Sequence, residues 1–498
     1  MDKEKLAHAF FANETFSPLI YISMQLQDIV LLIMEDIDLS ETETQKVPTD
    51  KKEQIGWYLY DLANTSFTVL IVTALFPLYF RLLVGNETLG DAMWGYAGSI
   101  TMIIIALSSP ILGAIADFGG SKKKFMAFYT AVCVAFTASM LFLPDILPSE
   151  EGPFSFLPFL GVDLWLWAWI IFIIANVGFQ GALPFYNAWL PEISTEDNIG
   201  RIGGYGFAAG YVGAMATIVI ALVVFAMNLP YTLAFFLSAI FFLVFSIPSF
   251  IMLKNRPAKK LPGEENVSLI TVGFRRVKNT IKQIRNYEGL PLYLVAYFLF
   301  SDAITTVIYY AAIFGQVVYG FSTTMILIFF AVTQLAAIPG AFIFGWIADR
   351  IGTKNTLIST LFIWIGALLI AYFLTPFGQI VWWIVGLIAG VGMGSSQSTA
   401  RSMYGQFIPE EKKTEMFGFY ALTGKFAAIL GPFVYASVLL LVNPLQLPSL
   451  VVDAHLTAIL AVLLFFVVAV LLLMKVRQPV KGEAKVYLED DIVPGEIV

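Results

Sequence analysis

The sequence is short of charge, sulfur and imidazole. Of its 498 residues, 13% are Asp, Glu, Lys or Arg, roughly half the share in an ordinary soluble domain, so large water-facing domains have no room. A single cysteine, Cys133, lies inside an apolar run, which rules out an intramolecular disulfide. The two histidines, His8 and His455, stand near opposite ends of the chain. A structural zinc needs four clustered ligands, so neither a metal nor a cofactor is expected. The phosphate-cradling Gly-x-x-x-x-Gly-Lys-Ser/Thr loop is missing, since Gly424-Lys425 is followed by Phe426, and an ATP-driven pump is thereby excluded. There is no His-Glu-x-x-His, and the residues around Ser395 and Ser396 do not make a Gly-x-Ser-x-Gly elbow. An enzyme is therefore not expected. With 29 basic against 36 acidic residues, a net charge of −7 and no basic stripe apart from the apolar segments, nucleic acid is not an expected partner.

What the chain has in abundance is apolar length, 58% of its residues. A helix crosses a bilayer in about 20 such residues. Apolar windows predict an all-α membrane protein of twelve transmembrane helices: 56–82, 92–116, 125–143, 162–188, 202–228, 231–253, 291–318, 323–348, 355–375, 380–401, 415–443 and 454–475. The division at Asn228, Leu229 and Pro230 is the least marked. Residues 1–55 lack a signal peptide's basic start and cleavage site. Their apolar stretch 16–34, broken by Gln25, Gln27 and Asp28 and followed by an acidic run, reads as an amphipathic cytoplasmic extension on the membrane surface, or as sequence ahead of a later start.

Basic residues are retained in cytoplasmic loops. With both termini inside, 27 of the 29 Lys and Arg fall on the cytoplasmic side, the exceptions being Arg81 and Lys425. The polar stretch 254–289 carries nine of them. The expected organisation is an extension 1–55, a six-helix bundle 56–253, a basic linker 254–290, a second six-helix bundle 291–475, and a cytoplasmic tail 476–498.

The halves repeat. Gly113-Ala-Ile-Ala-Asp117-Phe-Gly-Gly120-Ser-Lys122 and Gly345-Trp-Ile-Ala-Asp349-Arg-Ile-Gly352-Thr-Lys354 agree at Gly, Ala-Asp, Gly and Lys with a constant offset. A looser repeat relates Asp61-Leu-Ala-Asn-Thr65-Ser66 to Asp302-Ala-Ile-Thr305-Thr306. Two similar bundles joined by a linker describe a secondary transporter.

The Gly-x-x-x-Asp-x-x-Gly loops resemble the signature loop of the major facilitator superfamily, although Phe118 and Ser121 stand where basic residues are common. Over about residues 56–475 the chain is more specifically similar to the vacuolar effluxer-like, autophagy-related branch. The strings that carry this are Trp57-Tyr-Leu-Tyr-Asp61-Leu-Ala-Asn64-Thr-Ser-Phe67, Thr73-Ala-Leu-Phe-Pro77-Leu-Tyr-Phe80 and Phe185-Tyr-Asn187-Ala-Trp-Leu-Pro191-Glu192-Ile. Further along come Gly200-Arg201-Ile-Gly-Gly-Tyr-Gly206-Phe-Ala-Ala-Gly210-Tyr, Gln397-Ser-Thr-Ala-Arg401-Ser, Tyr420-Ala-Leu-Thr-Gly424-Lys425 and Gly431-Pro432. The resemblance implies a polytopic transporter whose eukaryotic relatives export amino acids from vacuoles. It implies a vacuolar membrane for a eukaryotic source and the cytoplasmic membrane for a bacterial one.

Several residues are candidates for the mechanism. Asp302 and Lys425 lie at similar depth, roughly 15 Å into their helices, where an isolated charge costs several kcal/mol. Lys425 is expected to neutralise Asp302 or to bind a substrate carboxylate, with Asp302 taking an ammonium or a proton. A structural ion pair is the alternative. Asp61, with Asn64 beside it, and Thr306 complete the expected substrate and proton site. Asp117, Asp349 and Arg350 would latch an inner gate, Gly113 and Gly345 letting another helix come close. Arg201, Glu192 and Arg401 are further gate candidates, with Gln397 one turn from Arg401. Arg81 is expected to meet Asp91 or Glu87 in an outer gate. The glycines at 206 and 210, and at 386, 390 and 394, read as packing faces. The function expected is secondary transport of a small organic solute, a neutral amino acid or related metabolite, by proton-linked or facilitated alternating access, in a monomer embedded in lipid. The alternatives are a drug or metabolite antiporter, which the lack of a Gly-Pro pair in the fifth helix disfavours, and a receptor on a transporter scaffold.

Overall fold

A computed structural model describes residues 50–118, 122–144, 164–194, 198–255, 287–408 and 413–477, together with 271, 275, 278, 279, 281, 282, 284 and 285. The N-terminal extension, most of the linker, the loop at Gly120 and the end of the tail lie outside the described residues.

Among the described residues twelve helical spans are long and apolar enough to cross a membrane. They are α1 (Lys51–Val84), α2 (Glu87–Phe118), α3 (Lys122–Phe142), α4 (Leu164–Asn187), α5 (Ile199–Ala226), α6 (Tyr231–Met252), α7 (Leu290–Tyr319), α8 (Thr323–Ile351), α9 (Thr353–Phe373), α10 (Gln379–Gln406), α11 (Thr423–Val442, continuous with a helix that begins at Lys413) and α12 (Val451–Lys475). Each expected helix has its counterpart within a few residues. Even the faint boundary at 228–230 is real: Asn228 takes a left-handed φ of 53° and Pro230 precedes α6 in an extended conformation.

Local chemistry sets the ends. Asp50 caps α1 by accepting from the Lys52 amide at 3.0 Å, and its carboxylate also meets Lys254 Nζ at 2.7 Å. These partners, Lys254 first, hold its pKa below the usual value. Ser322 caps α8 by accepting from the Met325 amide at 3.3 Å. Gly352 turns α8 into α9 at φ 87°, a conformation that a Cβ resists, which explains the glycine in the repeated loop. Lys354, the last residue of that loop motif, donates to the carbonyls of Met474 and Val476 at 2.9 and 2.8 Å, closing the C-terminus of α12.

Besides α3, which closes in a 3-10 turn at Met140–Phe142, two spans depart from the α-helix within their length. In α1 a π segment, Thr68–Ala74, ends with the Leu75 amide bonded to the Leu70 carbonyl at 2.9 Å, just before Pro77. Span α11 was expected to run unbroken through 415–443, yet it splits into Lys413–Phe426 and Leu430–Val442. The reason is Pro432, which has no amide proton and whose ring would strike the carbonyl four residues back.

The spans α1 to α6 pack mainly on one another, as do α7 to α12, and α2 lies against α11 across the middle. Glycines bring helices together where the sequence suggested they would. In α5, Gly206 receives the Trp57 ring and Gly213 abuts the Leu62 backbone of α1. In α10, Gly386, Gly390 and Gly394 lie against Phe329, Thr333 and Ala337 of α8.

Candidate functional site

Asp61 is half-buried on α1. It accepts from Asn64 Nδ2 at 3.3 Å, while Thr65 Oγ1 donates to its backbone carbonyl at 2.7 Å. A Cβ placed on Gly210 of α5 would stand 3.1 Å from Thr65 Oγ1 and 3.5 Å from Asp61 Oδ2. The second half repeats this local design. Thr306 Oγ1 donates to the Asp302 carbonyl at 2.7 Å, and a Cβ on Gly431 of α11 would stand 2.8 Å from Asp302 Oδ1. An aspartate, a threonine one turn later and a facing glycine therefore occur on α1 with α5 and again on α7 with α11. The sequence revealed the two helix motifs but not the glycines opposite them.

The copies differ in exposure. Asp302 is 0% exposed and neither carboxylate oxygen meets a hydrogen-bond partner of good geometry among the described residues. The expected pairing with Lys425 is corrected: Lys425 Nζ instead donates to Gln180 Oε1 of α4, across the bundle interface. The break in α11 explains this, because it separates the helix turn carrying Lys425 from the turn carrying Gly431. Lys425 is half-buried and Gln180 is buried, and one turn earlier on α4 Asn176 keeps a buried Oδ1 without a hydrogen bond. Asn176 and Gln180 were missed in the sequence, where two polar residues one turn apart in an otherwise apolar helix were the available signal.

Beside Lys425 lies a ladder of tyrosines. Tyr297 stacks on Tyr420 with ring centroids 4.2 Å apart, Tyr420 stacks on Tyr404 at 4.6 Å, and a Cβ on Gly424 would be 3.0 Å from Tyr297 Oη. Arg401, exposed, holds its guanidinium 5.3 Å from the Phe207 ring of α5, so it does reach the other bundle.

The remaining gate candidates are scattered. Asp349 is exposed, and Arg350 covers the Trp346 ring of its own helix at 3.5 Å. Asp117 falls in the last turn of α2, with its side chain outside the described residues. A Cβ on Gly113 or Gly345 would meet nothing within 4 Å. Among the described residues no other helix comes close to either glycine in this conformation. Glu192 pairs with Lys122, which also lies 5.0 Å from the Trp189 ring, whereas Arg201 is exposed.

At the other end the bundles are zipped together. Arg81 pairs with Glu87 at 2.9 Å and with Asp91 at 3.2 Å, as expected. Trp94 Nε1 donates to the Tyr309 carbonyl at 3.3 Å, and Tyr309 Oη donates back to the Trp94 carbonyl at 3.0 Å, with the two rings stacked. Ser99 Oγ donates to the Ile429 carbonyl at the break in α11 at 2.9 Å, Asn443 Nδ2 donates to Thr88 Oγ1 at 2.8 Å, and Tyr231 meets Thr323 at 2.7 Å.

Comparison with known proteins agrees with this architecture. A family model described as "Vacuole effluxer Atg22 like" matches residues 82–478. The uncharacterized MFS-type transporter YxiO of Bacillus subtilis (strain 168) is 31% identical over 399 residues, covering 77% of this chain and 88% of that protein. Autophagy-related protein 22 of Coccidioides immitis (strain RS) is 22% identical over 497 residues, covering 78% and 82%. In fold, the D-xylose-proton symporter superposes with a TM-score of 0.62 at 13% identity over 87% of this chain and 98% of that one. The nucleoside transporter NupG gives 0.60 at 15% identity over 85% and 98%. A non-enzymatic, multi-pass transporter architecture with these relatives leaves one assignment: the chain belongs to the Atg22-like vacuole effluxer family, within the major facilitator fold.

Proposed function

We propose that this transporter carries a neutral amino acid, in an efflux-type, proton-coupled cycle of alternating access, as a monomer with both termini cytoplasmic. Residues 56–253 and 291–475 are the two moving bodies. The observation that carries the reading is a pair of opposite charges on facing bundles, Asp61 on α1 and Lys425 on α11, each half-buried and neither held in a salt bridge among the described residues. A zwitterion fits such a pair, its carboxylate on Lys425 and Gln180 and its ammonium on Asp61 and Asn64. Asp302 serves as the proton carrier: a carboxylate sealed from water, with the Gly431 amide as its near donor and no cation beside it among the described residues, is far cheaper to hold neutral than ionised. The family description supports efflux.

On this reading the conformation is the one closed toward the outside, with open space at Gly345 and the tyrosine ladder toward the cytoplasmic end. Arg201, Arg350 and Arg401 then engage when that end shuts. The test is exchange of radiolabelled neutral amino acids in proteoliposomes, with and without a pH gradient. Saturable flux is expected, reduced at least about tenfold by Asp61→Asn, a loss equal to about 1.4 kcal/mol. In Asp302→Asn, exchange is expected to persist without stimulation by the gradient. No flux of any amino acid through folded protein would remove the substrate assignment.

A further inference from the structure

We propose that Asn176 is a positioning residue of the carboxylate site: it takes over the Gln180 amide oxygen when a substrate carboxylate reaches Lys425, and so turns Gln180 from an acceptor into a donor. The proposal deepens the zwitterion reading given above and rests on it, because a carboxylate is what Lys425 and Gln180 would receive.

The starting point is a conflict of hydrogen-bonding roles. An ammonium only donates and a carboxylate only accepts, whereas a primary amide does each at a different atom. In this conformation Lys425 Nζ donates to Gln180 Oε1. The amide oxygen thus occupies the ammonium that an anion would need, and it offers that anion nothing but another acceptor. To hold a carboxylate together with Lys425, Gln180 must present Nε2, which a half-turn of its terminal amide achieves. The half-turn takes Oε1 away from Lys425. Gln180 is buried, and a buried acceptor that loses its donor is costly.

Asn176 is placed to supply the new donor. Side chains four residues apart on a helix are neighbours. Of the α4 residues one turn from Gln180, namely Asn176, Val177, Leu183 and Pro184, Asn176 alone has a polar side chain. Phe172, Asn176 and Gln180 follow one another at four-residue steps. Phe172 lies against Trp94 of α2, with ring centroids 4.5 Å apart, and Gln180 meets Lys425 of α11. The row therefore runs along the side of α4 that faces α2 and the second bundle.

Asn176 is 1% exposed, and its Oδ1 has no hydrogen bond among the described residues. Buried amides are normally paired, so an unpaired one beside the binding groups points to a partner gained in another state. With substrate bound, Asn176 Nδ2 donates to Gln180 Oε1, while Gln180 Nε2 and Lys425 Nζ donate to the carboxylate. When the substrate leaves, Gln180 turns back. Its oxygen then serves Lys425 again, and the ammonium is never left bare inside the span.

The experiment is a double-mutant cycle on exchange in proteoliposomes, using the neutral amino acid that wild-type protein exchanges fastest among a radiolabelled panel. Asn176→Leu is expected to raise the half-saturation concentration by about tenfold, because Gln180 Oε1 then has no donor in the bound state. Its maximal rate should stay within about twofold of wild type, and its unfolding temperature should not fall, since a polar group without a partner has been removed. Asn176→Ala should show the same rise, so the result does not hang on the fit of leucine. In Gln180→Met there is no amide oxygen to satisfy. Adding Asn176→Leu to that variant should change its half-saturation concentration by less than about twofold, the scatter of independent sites.

An unchanged half-saturation concentration in Asn176→Leu and Asn176→Ala overturns the proposal and leaves the zwitterion reading standing. So does an equal rise in the wild-type and Gln180→Met backgrounds, which would mean that Asn176 acts without Gln180. A Gln180→Met carrier that exchanges nothing also overturns it, because Lys425 alone should still hold a carboxylate. Folded wild-type protein that exchanges no neutral amino acid overturns the proposal and the zwitterion reading together.

Discussion

Asp61 and Asp302 sit in matching frames, each followed one turn later by a threonine that donates back to the aspartate carbonyl and each facing a glycine on a neighbouring helix. The frames differ in how much room the glycine leaves. At Gly210 an added methyl group would lie at ordinary to tight contact with Thr65 and Asp61, whereas at Gly431 it would overlap Thr306 Oγ1. Gly431→Ala should therefore lower stability by about 1–3 kcal/mol, the range of overpacking in a filled core, and Gly210→Ala by less. Thermal unfolding of the two variants in detergent checks the order, and a larger loss at Gly210 would contradict the assignment of Asp302 as the sealed copy. At this scale the sequence disclosed which residues matter more readily than what they touch. Asp61, Asp302 and Lys425 stand out as charges inside apolar helices, and Arg81 with Asp91 and Glu87 was legible because the three lie within a single turn-and-helix segment. The partner of Lys425 was not legible, because Gln180 is brought to it by the docking of α4 against α11. His455 read as an isolated histidine for the same reason, its partner Asp91 lying at the opposite end of the chain.

At the scale of helices, hydrophobic length located all twelve spans, since a bilayer imposes one length on every one of them. The departures from regularity were harder to read. The π segment of α1 and the break in α11 each precede or contain a proline, but a proline within a span announces a local fault without saying how the freed backbone is satisfied. In α11 the answer is a hydroxyl from the other bundle, Ser99. The glycine-bearing loops invite a sharper test, because their glycines have open space in this conformation. Gly345→Leu should change stability by no more than about 0.5 kcal/mol, as surface substitutions do, yet reduce transport severalfold if the loop must dock when the inner end closes. Unfolding temperature and flux measured on the same preparation separate the two effects. A variant that transports at the wild-type rate would mean that nothing approaches Gly345 at any point in the cycle.

For the whole molecule, the distribution of bonds between the bundles decides which motion is available. They concentrate where α2 meets α7 and α11, from Thr88 and Asp91 through Trp94 to Ser99, and at the α6 to α8 contact of Tyr231 with Thr323. Toward the opposite end the bundles meet through Arg401 over Phe207, while the loop glycines stand bare. Rocking about a site near Lys425 and Gln180 then requires the first group of bonds to part as the second end closes. Tying that group together should trap the carrier. Tyr96 and Ser437 face each other across the interface, with their hydroxyls 3.4 Å apart. Cysteines at both positions, in a Cys133→Ser background and bridged by a short bismaleimide, are expected to abolish exchange, while either cysteine alone, treated identically, retains it. The block should be nearly complete, because a carrier that cannot open outward completes no cycle, whereas a channel would keep conducting through whatever path the tie leaves open. Exchange that continues in protein shown to be fully bridged would mean that solute crosses without separating α2 from α11, and the rocking of two bundles would have to be given up in favour of a smaller movement confined to one of them.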